Sequence, residues 1–398
     1  MFLKNATIVT SLLYLAGALM FLLCRIANSV EMLVLGRLLV GLSGGLTTSI
    51  VPMYLTELAP LWLTGATGVA CPMGVNVGVL VGQVMGLEFL LGRPDDWTYL
   101  LAVYAVLVIV CLPVLLVLPE SPKYLFLVRR NEEKALQELS RLRGVPASLL
   151  IEDIEGLHEE ARASHAIDFN GEGRWGLLRA VRDPTLRMPL LLTCSMQAGQ
   201  QTSGINAVFY YSHTIFEEAQ LSKSSSQYAT IACGFINVCT ALLMLHLLPR
   251  CGRRPLLLIS IFSASVILAC LAISIRLMHL ASWMPYMCMI TVLAYVLVYG
   301  FGLGPIPYFI ASEIFEVAPR SAGMAWGSLA NWGGNFLVGM FFPSLLDAIG
   351  PYSFLVFAII TAALFVFQKI YFPETYGRTP TQVMQLCNER SAHTPVQA

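Results

Sequence analysis

Apolar runs of about 20 residues, joined by short polar segments, recur along this chain. A helix needs about 20 apolar residues to cross roughly 30 Å of hydrocarbon. Ten segments meet that length, near 5–24, 32–52, 66–90, 98–118, 188–212, 228–248, 255–278, 284–311, 322–346 and 352–371. Charged residues make up only 12 % of the chain, against about 25 % in soluble domains. The runs are continuous rather than alternating, so the sequence predicts a polytopic all-α membrane protein.

The charged residues between the runs predict how the chain is oriented. Most of the 24 Lys and Arg residues fall on one side of the membrane if Lys4 is cytoplasmic, so both termini are expected there. We expect a four-span bundle over 1–118, a cytoplasmic linker over 119–187, a six-span bundle over 188–371 and a cytoplasmic tail over 372–398. The formal net charge is zero, which gives no reason to expect nucleic acid as a partner.

Within the linker, the segment 131–144 has the signals of a helix. Asn131 can cap its first turn, Glu132 and Glu133 suit that turn, and Gly144 can end it. The sequence therefore predicts a helical linker between two membrane bundles. The alternative is that the linker is a flexible spacer.

The second half of the chain repeats the first at an offset of about 254 residues. The segment PESP at 119–122 corresponds to PETYGR at 373–378, and PMYLTEL at 52–58 corresponds to PYFIASEI at 307–314. Corresponding segments face the same side of the membrane, as in transporters built from parallel repeats. The offset leaves two predicted spans of the second half without counterparts, so we expect a twelve-span design that lacks its first two helices.

Seven motifs, in order along nearly the whole chain, identify a resemblance to a known family. They are GRLLVGLSGG (36–45), PESPKYL (119–125), QQTSGINAVFYYS (200–212), CGRRPLL (251–257), GPIPYFIASEIF (304–315), NWGGNF (331–336) and PETYGRT (373–379). The sequence resembles the sugar-porter branch of the major facilitator superfamily, and within it the facilitative glucose (hexose) transporters. The resemblance implies the major facilitator fold, two helical bundles related as parallel repeats.

Side-chain amides inside apolar helices are the candidate sugar ligands. An uncharged polyol suits amides, because each amide both donates and accepts hydrogen bonds. The resemblance implies that the sugar contacts are Gln83, Gln200, Gln201, Asn206, Asn237 and Asn335, with Phe209 and Tyr210 lining a gate. The alternative role of a buried amide is to hold neighbouring helices together. We expect that structural role for Gln197 and for an isolated amide in general, and sugar contact for the cluster of Gln200, Gln201 and Asn206. Asn331 is a further amide inside an apolar helix.

The span at 299–309 contains three glycines and two prolines, a composition typical of a helix that is interrupted beside a cavity. Its counterpart ends in Pro52, so we expect interruptions in both halves. The aromatic sugar-site position is Tyr308, where the best-known glucose carriers have Trp. Gly300 and Thr202 replace the Glu and Leu that are usual in those carriers. These departures leave the preferred hexose open.

Charged residues at helix ends are candidate salt-bridge latches. The resemblance implies this role for Arg37, Glu57, Glu120, Arg253, Arg254, Glu313, Arg320, Glu374 and Arg378. The alternative is ordinary helix capping and, for Arg37, extension of its side chain to the membrane interface. Thr64 and Pro249 replace an Arg and a Glu that are usual in the family, so we expect the inward-open state to be favoured.

These features together predict a facilitative hexose carrier that works by alternating access and is driven by the sugar gradient alone. The alternatives are a proton-coupled sugar symporter and a non-transporting sugar sensor or inactive truncated isoform. No cofactor, metal site or enzymatic activity is expected, because the six histidines lack ligand spacing and no phosphate-binding loop occurs. The expected partners are a hexose and the lipid bilayer, with the chain a multi-pass protein of the plasma membrane.

Overall fold

The computed structural model describes residues 3–60, 64–127, 129–151, 153–158, 176–209, 223–248, 250–281 and 283–392. All regular elements of these residues are helical. The prediction of an all-α protein is therefore confirmed. The chain divides into two compact units, Met1–Cys71 with Val84–Gly173, and Pro72–Gln83 with Arg174–Ala398.

The first unit is built on a long helical hairpin. Its helices are α1 (Leu3–Ile26), α2 (Val30–Leu58), the start of α3 (Thr64–Met85), α4 (Trp97–Ala102), α5 (Tyr104–Val117), α6 (Pro122–Leu127) and α7 (Glu132–Arg143). Helix α1 packs against α2, α4 and α5. Ala18, Phe21 and Ala102 form the buried centre of these contacts. Large apolar side chains such as Leu38 and Val110 remain exposed on α2 and α5, as expected for helices whose solvent is hydrocarbon.

Helix α7 confirms the predicted helix over 131–144, with the predicted residues at both of its ends. The Asn131 side chain accepts a hydrogen bond from the Lys134 backbone N–H at 3.0 Å, and Gly144 ends the helix with φ +69°. That left-handed conformation costs glycine little, since it has no Cβ. The Arg143 guanidinium donates to the carbonyl of Leu58 at 2.9 Å, which joins the end of α7 to the end of α2.

The second unit is arranged around one central helix. Besides part of α3, its helices are α8 (Leu177–Arg182), α9 (Pro184–Thr202), α10 (Lys223–Leu247), α11 (Arg253–Arg276), α12 (Met284–Phe301), α13 (Ile306–Ile314), α14 (Val317–Ile349), α15 (Ser353–Tyr371) and α16 (Pro380–Ala392). Helix α9 contacts α13, α14, α15 and α16, while α11 packs against α12 and α15. Helix α9 thus carries its polar face into the interior of the unit.

Helix occupies most of each of the ten predicted spans in the described residues, although the third span leaves helix at Met85 rather than at residue 90. Within the described ranges, seven helical stretches are long and apolar enough to cross a membrane, and the stretch Pro319–Tyr371 among them contains most of α14 and all of α15. Helix α9 is absent from these seven because its amides and its charged first turn lower its hydropathy. The exact number of spans therefore stays a prediction.

The structure confirms one predicted helix interruption and corrects the other. Between α12 and α13 the helix breaks over residues 302–305, where Gly302, Gly304 and Pro305 interrupt the helical hydrogen bonds. A Cβ on Gly302 would lie 2.6 Å from the carbonyl oxygen of Leu256 in α11, so only glycine allows this close approach. The expected interruption at Pro52 is wrong. Helix α2 continues through it to Leu58, since membrane helices tolerate a proline where local adjustment satisfies the freed backbone group.

Candidate functional site

Three glutamines on one face of α9 begin the site. Gln197, Gln200 and Gln201 are all buried, at spacings of three and four residues that place them on one side of a helix. Helix α9 ends at Thr202. Gly204 then adopts φ +85°, and residues 205–209 are helical again.

The break between α12 and α13 supplies acceptors for this glutamine face. The Gln200 side-chain Nε2 donates to the carbonyl oxygen of Gly304 at 2.6 Å, and Gln197 Nε2 donates to that of Pro307 at 2.8 Å. The Gly304 carbonyl is available because the Tyr308 N–H bonds to Pro305 instead. Tyr308, the predicted aromatic residue of the site, follows Pro307 directly and is half-buried.

Asn331 on α14 links the glutamines to one another. Its Nδ2 lies 2.9 Å from Gln197 Oε1 and 2.6 Å from Gln200 Oε1, and its Oδ1 accepts from Gln201 Nε2 at 3.0 Å. Gly334 permits this close packing of α9 on α14, since a Cβ there would lie 3.1 Å from Gln201 Cβ. Asn331, to which the sequence assigned no role, is the centre of the cluster.

Asn206 and Asn335 form the edge of the same cluster. The Nδ2 groups of both donate to Gln201 Oε1, that of Asn335 at 3.5 Å. Both side chains are half-buried, and within the described part of the chain neither Oδ1 accepts a hydrogen bond. The cluster therefore has an interior of mutually bonded amides and an edge with two open acceptors. Phe209, three residues after Asn206 in the sequence, is half-buried. Tyr210 lies outside the described residues.

A second amide group joins α3 to α10. Asn237 Nδ2 donates to Asn76 Oδ1 at 3.0 Å, and Gln83 packs against Gly234 with its Oε1 buried and without a described donor. The structure describes no hydrogen bond between this group and the α9 cluster. Sequence reasoning missed Asn76, although its spacing of seven residues from Gln83 places both amides on one helix face.

The charged residues of the second unit form a compact network at the start of α11. Arg253 pairs with Glu313 at 3.2 Å, and both side chains are mostly buried. Glu374 accepts hydrogen bonds from the backbone N–H groups of Arg253 and Arg254, at 2.8 and 3.2 Å, and so caps α11. The Thr375 hydroxyl donates to Glu313, which completes the network.

The first unit repeats these contacts with its own residues. The Ser121 hydroxyl donates to Glu57, as Thr375 does to Glu313. Glu120 accepts from the backbone N–H of Lys4 at 3.4 Å, as Glu374 does from Arg253. The predicted internal repeat thus extends to individual hydrogen bonds.

The remaining predicted latch residues are less closely connected. Arg254 donates to the Lys369 carbonyl at 2.7 Å and Arg320 to the Phe315 carbonyl at 3.4 Å. The exposed Arg37 lies over the ring of Phe21, 5.8 Å from its centroid.

Arg378 is paired with none of the carboxylates that the structure describes. Arg378 lies near Arg390. The pKa of the Arg390 guanidinium is lowered mainly by burial, and the positive charges of Arg254 and Arg378 lower it further. The Thr64 side chain and Pro249, the two departures from the family latch, are outside the described residues.

Comparison with known proteins decides the family. A model of the family described as "Sugar (and other) transporter" matches residues 3–386. The chain belongs to this sugar transporter family. The facilitated glucose transporter member 3 of solute carrier family 2 from Homo sapiens is 39 % identical over 379 residues, which is 94 % of this chain and 74 % of that protein. The Ovis aries protein of the same name is 39 % identical over 376 residues, with the same coverage.

Solved structures show the fold of this sugar transporter. The proton:xylose symporter XylE bound to 6-bromo-6-deoxy-D-glucose superposes with a TM-score of 0.76 at 23 % identity, covering 96 % of this chain and 82 % of that one. An inward-open structure of XylE from E. coli gives 0.74 at 21 % identity, covering 96 % and 82 %. The predicted major facilitator fold is confirmed, and the chain is a multi-pass membrane transporter rather than an enzyme.

Proposed function

We propose that this transporter carries a glucose-like hexose across the membrane down its concentration gradient, by alternating access. The supporting observation is the edge of the amide cluster. There the half-buried side chains of Asn206 and Asn335 each carry an Oδ1 that accepts no hydrogen bond from the described residues. Facilitated glucose transport is named for relatives 39 % identical over 94 % of the chain. The sugar ligands in this proposal are Gln200, Gln201, Asn206 and Asn335, with Tyr308 beside them and with Gln83 and Asn237 on the second amide group.

The cluster has the chemistry that reversible sugar binding needs. The residues that form it are neutral amides, so a sugar hydroxyl can exchange with an amide–amide hydrogen bond at little net cost. Amide hydrogen bonds within a bilayer contribute about 0.6 kcal/mol each. A few such exchanges orient a hexose without holding it so tightly that release becomes slow.

The second candidate function is proton-coupled sugar symport. The observation in its favour is the fold that this chain shares with the proton:xylose symporter XylE. Proton coupling needs a titratable group whose charge changes with sugar binding. Among the described residues whose side chains hydrogen-bond within the amide cluster, none is a carboxylate, a histidine, a lysine or an arginine. The neutral cluster therefore favours uniport.

We also propose that the Arg253–Glu313 network acts as a latch, because an ion pair made in one conformation biases the exchange between conformations by its differential free energy. The altered positions Thr64 and Pro249 weaken the corresponding latch and favour the inward-open state. Both termini are cytoplasmic and the plasma membrane is the site of action in this proposal. The organisation is a bundle over 1–118, a linker over 119–187, a bundle over 188–371 and a tail over 372–398.

Influx of radiolabelled glucose into proteoliposomes tests the function. The full chain should give saturable influx that is unchanged by an imposed proton gradient. Asn206→Ala should raise KM about three- to tenfold, since one or two hydrogen bonds to the sugar are lost. The matched control is Asn388→Ala, which removes an amide that bonds the Thr185 carbonyl on the cytoplasmic side. Influx that follows the proton gradient would favour the symporter, and binding without influx would favour the sensor.

A further inference from the structure

The contact between Asn76 and Asn237 leaves two complementary atoms open. Asn237 is only 4 % exposed, and its Nδ2 donates to Asn76 Oδ1 at 3.0 Å. No described residue donates to Asn237 Oδ1 or accepts from Asn76 Nδ2. Asn237 Oδ1 is also not among the fully enclosed atoms that lack a partner, so this oxygen keeps some accessible surface. The pair thus presents one acceptor next to one donor.

An isolated structural contact between two helices does not require this arrangement. Helix packing alone is served by an amide pair that satisfies itself, or by apolar side chains of the same size. In a low-dielectric interior, an open amide atom costs free energy unless a ligand or water completes it. The valines flanking Asn76 at 75 and 77 are exposed and apolar, so Asn76 is the single polar side chain on this turn of α3.

We propose that Asn76 determines sugar specificity. Together with Asn237, it binds two adjacent hydroxyls of the transported hexose. One hydroxyl donates to Asn237 Oδ1 while its neighbour accepts from Asn76 Nδ2. A vicinal diol presents two neighbouring hydroxyls, each of which can donate and accept, so it can serve the open acceptor and the open donor together. This inference rests on the proposed function, and it adds a ligand on α3 that selects a vicinal diol.

The test is a scan of hydroxyl groups against the intact protein and its Asn76→Val variant. The assay measures how strongly each deoxyglucose, which lacks a single hydroxyl, inhibits the influx of labelled glucose into proteoliposomes. For the intact protein, removal of either of two adjacent hydroxyls should weaken inhibition about three- to tenfold. For Asn76→Val, one of those two penalties should disappear while the neighbouring one, due to Asn237, stays. Val77→Ala on the same helix is the control and should keep both penalties.

Two results would overturn the inference. The first is that Asn76→Val raises KM for every analogue by the same factor, which indicates that Asn76 only positions Asn237. The second is that the variant keeps both adjacent penalties in full. If a variant gives little influx, the same scan is read from competition for labelled glucose bound to the purified protein. Failure of the proposed function is distinct, because the intact protein then neither binds nor carries glucose.

Discussion

The division of the amide cluster into an interior and an edge makes a quantitative prediction for two asparagines on α14. The Asn331 side chain lies within hydrogen-bonding distance of three glutamines, and its two hydrogens and one carbonyl can satisfy three bonds at 2.6–3.0 Å. Asn335 makes one long bond of 3.5 Å. At about 0.6 kcal/mol for each bond, Asn331→Leu should destabilise the protein by about 2 kcal/mol and Asn335→Leu by less than about 0.6 kcal/mol.

The effect on sugar binding should have the opposite order. Asn335 presents an open acceptor, so Asn335→Leu should raise KM about three- to tenfold, whereas Asn331→Leu should change KM less than about threefold. Thermal unfolding of the purified protein measures the first quantity, and influx into proteoliposomes measures the second. The reasoning is refuted if both variants lower the unfolding temperature equally. It is also refuted if Asn331→Leu raises KM at unchanged stability.

Three further variants or treatments test other parts of the structure. Arg253→Gln should destabilise the protein by about 1–3 kcal/mol in thermal unfolding. The double variant with Glu313→Gln should be destabilised by less than the sum of the two single variants, because the two groups form one ion pair. Gly302→Ala should cost about 1–3 kcal/mol through overlap with α11, whereas Gly333→Ala, with open space at its Cβ, should be neutral or stabilising. Burial raises the pKa of the Cys387 thiol to about 12. At pH 8, alkylation of this thiol by a maleimide should therefore be about 10³-fold slower in the folded protein than in denaturant. Mass spectrometry measures the two rates, and equal rates would contradict the prediction.

Local signals in the sequence were sufficient to predict most of the helices. Helix α7 is the clearest case, because the cap at Asn131 and the stop at Gly144 depend only on residues within one turn. The apolar spans were equally readable, since the requirement for about 20 apolar residues comes from the bilayer and not from neighbouring helices. The repeat was predicted from pairs such as Glu57 and Glu313, and their hydroxyl partners confirm it.

Features that depend on contacts between distant segments were not predictable in this way. The part played by Asn331 depends on three side chains about 130 positions earlier in the chain, and no local pattern indicates which amides meet. Asn76 was missed because its partner Asn237 is 161 residues away. Pro52 was misjudged because composition does not show whether neighbouring helices support a break. At Gly302 they do, since Ser260 on α11 bonds the Leu303 N–H.

The helix break and the amide cluster have one physical cause. A broken helix in hydrocarbon leaves backbone carbonyls without donors, and such groups cost several kcal/mol unless another segment completes them. Gln200 meets this need at Gly304, and Gln197 donates to the neighbouring Pro307, so these two amides are held in place by the backbone. The Asn206 and Asn335 side chains donate to Gln201 and not to backbone carbonyls at the break. The same break therefore fixes the interior amides, while the proposed sugar ligands at the edge of the cluster take no part in completing it.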